Sequence, residues 1–227
     1  MKKLMMVAMA LIIACGSAFA QMDAKERKQL IKERQEVQKL AKKDLKAKVD
    51  GNTRKEAKRL KKEGWQVIPG ALPLEKQLER SYLMQYEFDE NLFPKWIMGE
   101  ASSIGENYDA AKVAAQSLAI TNLAGNIQTE VTALLENTVA NKQLSPEEAA
   151  SISETVMSSK NLISQSIGRT VPVMECFRVN SKKNHEVLVR IAYNAQMAKE
   201  AAKKVVREEL EKKGQDLHEQ LDKAFGL

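Results

Sequence analysis

From Ala110 to Thr138 small residues recur at helical spacing: Ala111, Ala114, Ala115, Leu118 and Ala119 lie on one side, and Ile127, Val131, Leu134 and Leu135 continue it. A helix with alanine along one face brings its backbone close to whatever it covers, and the larger aliphatic residues deepen the same contact. Such a helix suits the surface of a β-sheet. Gly125 in its middle costs about 1 kcal/mol against alanine, which marks a close contact there. Asn107 or Asp109 is placed to cap its start.

The sheet is read from a change of period. After Thr170, Val171, Val173, Phe177 and Val179 alternate with Pro172, Met174 and Arg178; a polar turn, Asn180 to Asn184, follows; then Val187, Val189, Ile191 and Tyr193 alternate again. This predicts an antiparallel hairpin. Glu175 interrupts the inward set and is expected at a solvent-facing edge. An earlier strand is expected at Trp96 to Ala101, with Gly99 admitting a close backbone approach. Helices are expected from Leu74 to Phe88 behind Pro73, from the Ser145-Pro146 cap to near Gly168, and from Ala195 to Lys213. Gly214 ends the last, and Leu217 and Leu221 resume it weakly. The predicted class is α+β, a small and mostly antiparallel sheet with packed helices, preceded by a basic helical N-terminal arm.

The N-terminal residues read as an export signal. Lys2 and Lys3 precede the apolar run Leu4 to Ala14, which is shorter than the ~20 residues a bilayer span needs, and Ala18-Phe19-Ala20 places small side chains at both positions read before cleavage. Cleavage between Ala20 and Gln21 is the favoured outcome. The rival is lipidation at Cys15, because Ile12-Ile13-Ala14-Cys15 is similar to a lipobox. Either outcome places the protein outside the cytoplasm, in the periplasm or cell envelope, with outer-membrane attachment following from the second.

Charge separates an arm from a domain. The chain carries +6, yet Gln21 to Gly64 alone carries +8 and residues 65–227 carry −4. The expected organisation is a signal peptide over 1–20, a basic helical arm over 21–64, and an α+β domain over 65–227. Within the arm Asp50-Gly51-Asn52 interrupts the helix, and Thr53 with Glu56 has the capping-box spacing that restarts it. Leu30, Val37, Ala41 and Leu45 form one narrow stripe, too thin for a core. Three readings remain for the arm: a solvated tether, a helix packed on an envelope protein, or a basic helix lying on an anionic membrane surface or phosphate-bearing polymer. Nucleic acid is not expected, since export removes it and the arm before Trp65 holds no aromatic for stacking on bases.

The Ala-rich helix with Leu123-Ala124 and Ile127-Gln128-Thr129, then Phe177-Arg178 and the stretch Glu186 to Tyr193, resembles the LPP-twenty family of bacterial envelope lipoproteins across Ile97 to Tyr193. The resemblance implies a cell-envelope protein and carries over no catalytic residues. The chain departs from that family in its lipid attachment and its long basic arm.

No linear motif for chemistry stands out. Cys176 is the one cysteine outside the signal and cannot form an internal disulfide; it reads as a small buried side chain in a strand. His185 lies beside the hairpin turn and His218 in a charged tail, neither with a companion at metal-ligand spacing. The sequence nominates no catalytic residue, no metal site and no cofactor. Two functions are expected to compete: a structural or interaction component of the envelope, and a binding module for a small ligand or envelope polymer with Trp96, Tyr108 and Tyr193 as its aromatic contacts.

Overall fold

The computed structural model describes residues 48–89, 93–141, 144–214 and 217–225, together with Gln29, Lys32 and Lys39, which are helical and exposed. The signal segment 1–20, its Ala20/Gln21 junction, Cys15 and most of the arm before Lys48 lie outside the described residues. The chain divides into two compact units, 1–48 and 49–227. Among the described residues the second contains seven helices and three strands.

The N-terminal helix of this unit, α1, spans Gly51–Lys62. Its start corrects the expected cap. The Asp50 carboxylate accepts from the amides of Asn52 (2.8 Å) and Thr53 (3.2 Å), so the non-helical interruption lies at 48–50 and Gly51-Asn52 already belongs to the first turn. Thr53 is buried inside that turn. Gly64, at φ 90°, turns the chain so that the Trp65 amide bonds the Leu60 carbonyl at 3.0 Å. Helix α2 follows at Leu74–Gln85, shorter than expected, with Pro73 at its cap position. Strand β1, Trp96–Gly105, runs four residues beyond the expected stretch. Helix α3, Tyr108–Ala140, is capped by Asn107 accepting from the Ala110 amide at 2.9 Å.

Helix α4, Pro146–Ser158, opens on a full capping box between Ser145 and Glu148. The helix expected to continue to Gly168 breaks at Ser159, and α5, Lys160–Ser166, resumes it. Thr155 and Ser158 hydroxyls bond backbone carbonyls in that last turn, and the Gln128 amide of α3 donates to the carbonyls of Val156 (2.6 Å) and Met157 (3.1 Å). Side chains thus satisfy the exposed helix end, which lets the chain turn. Strands β2 (Val171–Val179) and β3 (His185–Asn194) form the hairpin, followed by α6 (Ala195–Lys212) and α7 (His218–Phe225).

The sheet has the order β1-β3-β2 and is antiparallel throughout. It is covered on both faces. Ile97, Val187, Val189, Ile191 and Tyr193 join Ala111, Ala115, Ala119 and Leu123 of α3 in the larger core, which α4 to α7 complete. Leu188, Met174 and Cys176 face the other way and pack with Ala57 and Leu60 of α1, Trp65, and Leu74 and Leu78 of α2. The expected alternation in β2 therefore fails in two ways. Val173 lies at an irregularity between Pro172 and Met174, and Met174, expected to point outward, is 2 % exposed because a second helical layer covers that face. The boundary expected at Gly64 likewise moves to Lys48, since α1 is basic on its outer side but contributes Ala57 and Leu60 to the domain's second core.

Candidate functional site

The three aromatic residues expected to line a ligand groove are not brought together. Trp96 opens β1 opposite Asn194, and its Nε1 donates to Glu87 at 2.7 Å. Tyr193 pairs with Ile97 one step along, on the α3 face, 4 % exposed, its hydroxyl accepting from the Gly168 amide at 3.3 Å. Tyr108 lies past the far end of β1 at the start of α3, and its hydroxyl donates to Glu175. Each polar tip is held by the chain's own groups, which is how half-buried and buried aromatics pack.

Glu175 corrects a second expectation. It sits on the α3 face, not at a solvent-facing edge, where Tyr108 and the Lys112 ammonium (2.9 Å) both bond its carboxylate. Phe177 meets Tyr108 edge-on at 5.3 Å, and the His185 ring lies over Phe177 at 6.2 Å. The cluster collects titratable groups but does not activate them. Burial, then the bond to Glu175, raises the Tyr108 phenol above its ordinary value. Burial and the Glu56 carboxylate push Tyr82 up to about 12, and burial pushes the Cys176 thiol up to about 12. All three hold their protons at neutral pH, the opposite of what a nucleophile needs. Among the described residues no group of three or more His, Cys, Asp or Glu could hold a metal ion.

The most distinctive polar surface is the outer face of α1. Arg54, Lys58 and Lys62 stand at i, i+4 and i+8, with Lys55 beside them, and all four are exposed. None of the four forms an ion pair among the described residues, whereas Arg59 pairs with Glu56 and Glu63, and Lys61 with Glu75 at 2.6 Å. Opposite this row Thr53, Ala57 and Leu60 are buried against the domain. The row is therefore a fixed array of four cations outside any close ion pair among the described residues, with Asp50 near enough to Arg54 for the guanidinium to help lower its carboxyl.

A second surface is a polar groove of about 540 Å³ where α3 runs beside the β1 edge, lined by Met98, Glu100, Asn122, Asn126, Lys160 and Arg190 among others. Asn126 donates to the Met98 carbonyl and Asn122 to the Glu100 carbonyl, each at 2.8 Å. Arg190 bonds Glu100 and reaches the Ser81 hydroxyl at 2.6 Å. The far edge of the sheet is closed similarly: Gln66 exchanges two backbone bonds of 2.8 Å with Phe177, and the Gln77 side chain accepts from the Glu175 amide at 2.7 Å. Amide groups thus close much of both sheet edges.

No family model, curated protein or solved structure matches this chain. The residues of interest are thus defined by their own geometry. The row on α1 carries a sequence signature, cations at helical spacing, which the basic composition of the whole arm hides. Asn122 and Asn126 also had one, two amides four residues apart, yet only the antiparallel run of α3 along β1 gives that spacing a purpose.

Proposed function

We propose that this is an exported cell-envelope protein with an interaction role, which meets an anionic membrane surface through the cationic face of α1. The observation that supports this reading is the row Arg54, Lys58 and Lys62 with Lys55, exposed and unpaired on a helix whose opposite side is anchored in the domain's core. A solvated helix gains from alternating charges along its face. This one places its acidic residues elsewhere: Glu56 bonds Tyr82, and Glu63 lies against Arg59. The resemblance to the LPP-twenty family and the leader ending at Ala20 favour the same compartment. The segment from Gln21 to Lys48 is itself basic, with 10 Lys and Arg against 5 Asp and Glu.

Each basic residue near an anionic leaflet contributes about 1 kcal/mol, so reversing Arg54, Lys58 and Lys62 to Glu is expected to weaken binding by roughly 100-fold or more. Co-sedimentation with phosphatidylglycerol vesicles over a salt series reads this directly. Binding should fall steeply with salt and be absent on phosphatidylcholine. Partitioning unchanged by the triple reversal would refute the assignment. Intact mass of protein from its native envelope tests the leader: a chain beginning at Gln21 is expected, and a lipid on Cys15 would replace that outcome.

A further inference from the structure

The outward carbonyls of β1 are capped at Met98 and Glu100 and open at Ser102 and Ile104. The carbonyls of Met98 and Glu100 point away from β3, since Asn126 and Asn122 of α3 bond them. Backbone direction alternates along an antiparallel strand, so the N–H and C=O groups of Ser102 and Ile104 point the same way. Helix α3 advances about 6 Å over four residues and β1 about 6.7 Å over two, so the line through Asn126 and Asn122 continues to Leu118 beside Ser102 and Ala114 beside Ile104. Leucine and alanine cannot donate. Nothing else among the described residues bonds these groups, and Ser102, Ile104 and Leu118 are exposed, Ile104 at 58 % and Leu118 at 47 %.

We infer that Ser102 to Ile104 is a strand-addition site, which takes an extended segment of a partner protein carrying alternating apolar residues and a Lys or Arg at one end. Two donor and acceptor pairs on one edge, about 6.7 Å apart, are matched by another extended backbone. Ile104 provides apolar surface on the face away from α3, and Leu118 and the exposed Val113 provide it on the α3 side, so an incoming strand meets an apolar neighbour on each face. The charge at this end identifies the partner's chemistry. Glu106 and Asp109 follow directly, both exposed and neither in an ion pair among the described residues, so the complementary segment is basic there. A second copy fits worse: antiparallel pairing centred on Ser103 would set Glu106 of each copy opposite Glu100 of the other, whose one cation, Arg190, is already bonded to it. This site is separate from the cationic face of α1 and does not depend on the membrane reading.

The test uses the isotope-labelled chain and a blocked synthetic peptide alternating Val and Thr with Lys at both ends. Hydrogen exchange at the Ser102 and Ile104 amides should slow by at least about tenfold at saturating peptide. Ile104→Pro removes an outward N–H without touching the β1–β3 ladder, so the melting temperature should hold while peptide affinity falls at least about tenfold. A peptide N-methylated on one edge keeps its side chains and tests the same bonds without altering the protein; it should not bind. No binding at millimolar peptide, or binding of the N-methylated form, overturns the site. Concentration-dependent dimers that protect the same amides without peptide overturn the partner in favour of a second copy.

Discussion

Gly99 of β1 lies against Ala119 of α3 so closely that a Cβ at position 99 would stand 2.4 Å from the Ala119 carbonyl oxygen and 2.7 Å from the Leu123 Cβ. The alanine face of α3 exists to allow this approach: Ala111, Ala115 and Ala119 are fully buried along the strand. Gly99→Ala is expected to destabilise the domain by about 3 kcal/mol, the upper end for overpacking, because the obstacle is backbone and cannot swing aside. Gly51→Ala, with nothing within 4 Å, is the control and should change stability by less than about 1 kcal/mol. Urea unfolding of both variants measures this; equal stabilities would mean the helix does not sit so close.

Ile191, 4 % exposed, belongs to the larger core between the sheet and α3. Truncation to alanine should cost about 2–5 kcal/mol. A change within about 0.5 kcal/mol in denaturant titration would place Ile191 on the wrong face.

The α1 helix distinguishes two truncations. A chain beginning at Val49 retains the whole second unit and is expected to unfold cooperatively. One beginning at Trp65 loses Ala57 and Leu60 from the core beneath α2, the Glu56 bond to Tyr82 and the Lys61–Glu75 pair. Leu60 alone is worth about 1.5–3 kcal/mol of burial, so the shorter chain should melt several degrees lower or lose its cooperative transition. Matching calorimetric transitions would contradict the packing of α1.

Cys176, 1 % exposed beneath α1 and α2, is held as a thiol up to about 12 by burial. Tyr82 is held protonated over a similar range by burial and Glu56. Both folded pKa values lie above the unfolded ones, so the native state binds more protons in the alkaline window. Stability is therefore full below about pH 9 and declines as pH rises towards about 12. Thiol labelling at pH 8 should be negligible in the native protein and complete in urea; fast native labelling would show that Cys176 is accessible.

Local chemistry was enough to place most of the elements, though not the break at Ser159. The Ser145 cap with Pro146 in the first turn, a cap at Asn107 or Asp109, the alanine spacing of α3 and the two-residue period of the hairpin each depend on neighbours in the chain and are legible there; the structure selects Asn107 and completes the capping box with Glu148. Gly99 announced a close approach by lacking a side chain in a strand. The sequence did not reveal that the sheet is covered on both faces, because a strand buried on both sides loses the alternation that reports on one. Met174 therefore reads outward in the sequence and Glu175 at an edge, while α1 reads as part of an arm because its cations outnumber its buried Thr53, Ala57 and Leu60. The surfaces proposed for function also belong to tertiary structure. Arg54, Lys58 and Lys62 form a directed array only because the other side of α1 is anchored. Ser102 and Ile104 are open only because the side chains of α3 that reach the β1 edge change from asparagine to leucine and alanine. Periodicity along one chain records which residues share a face, and only packing decides what that face meets.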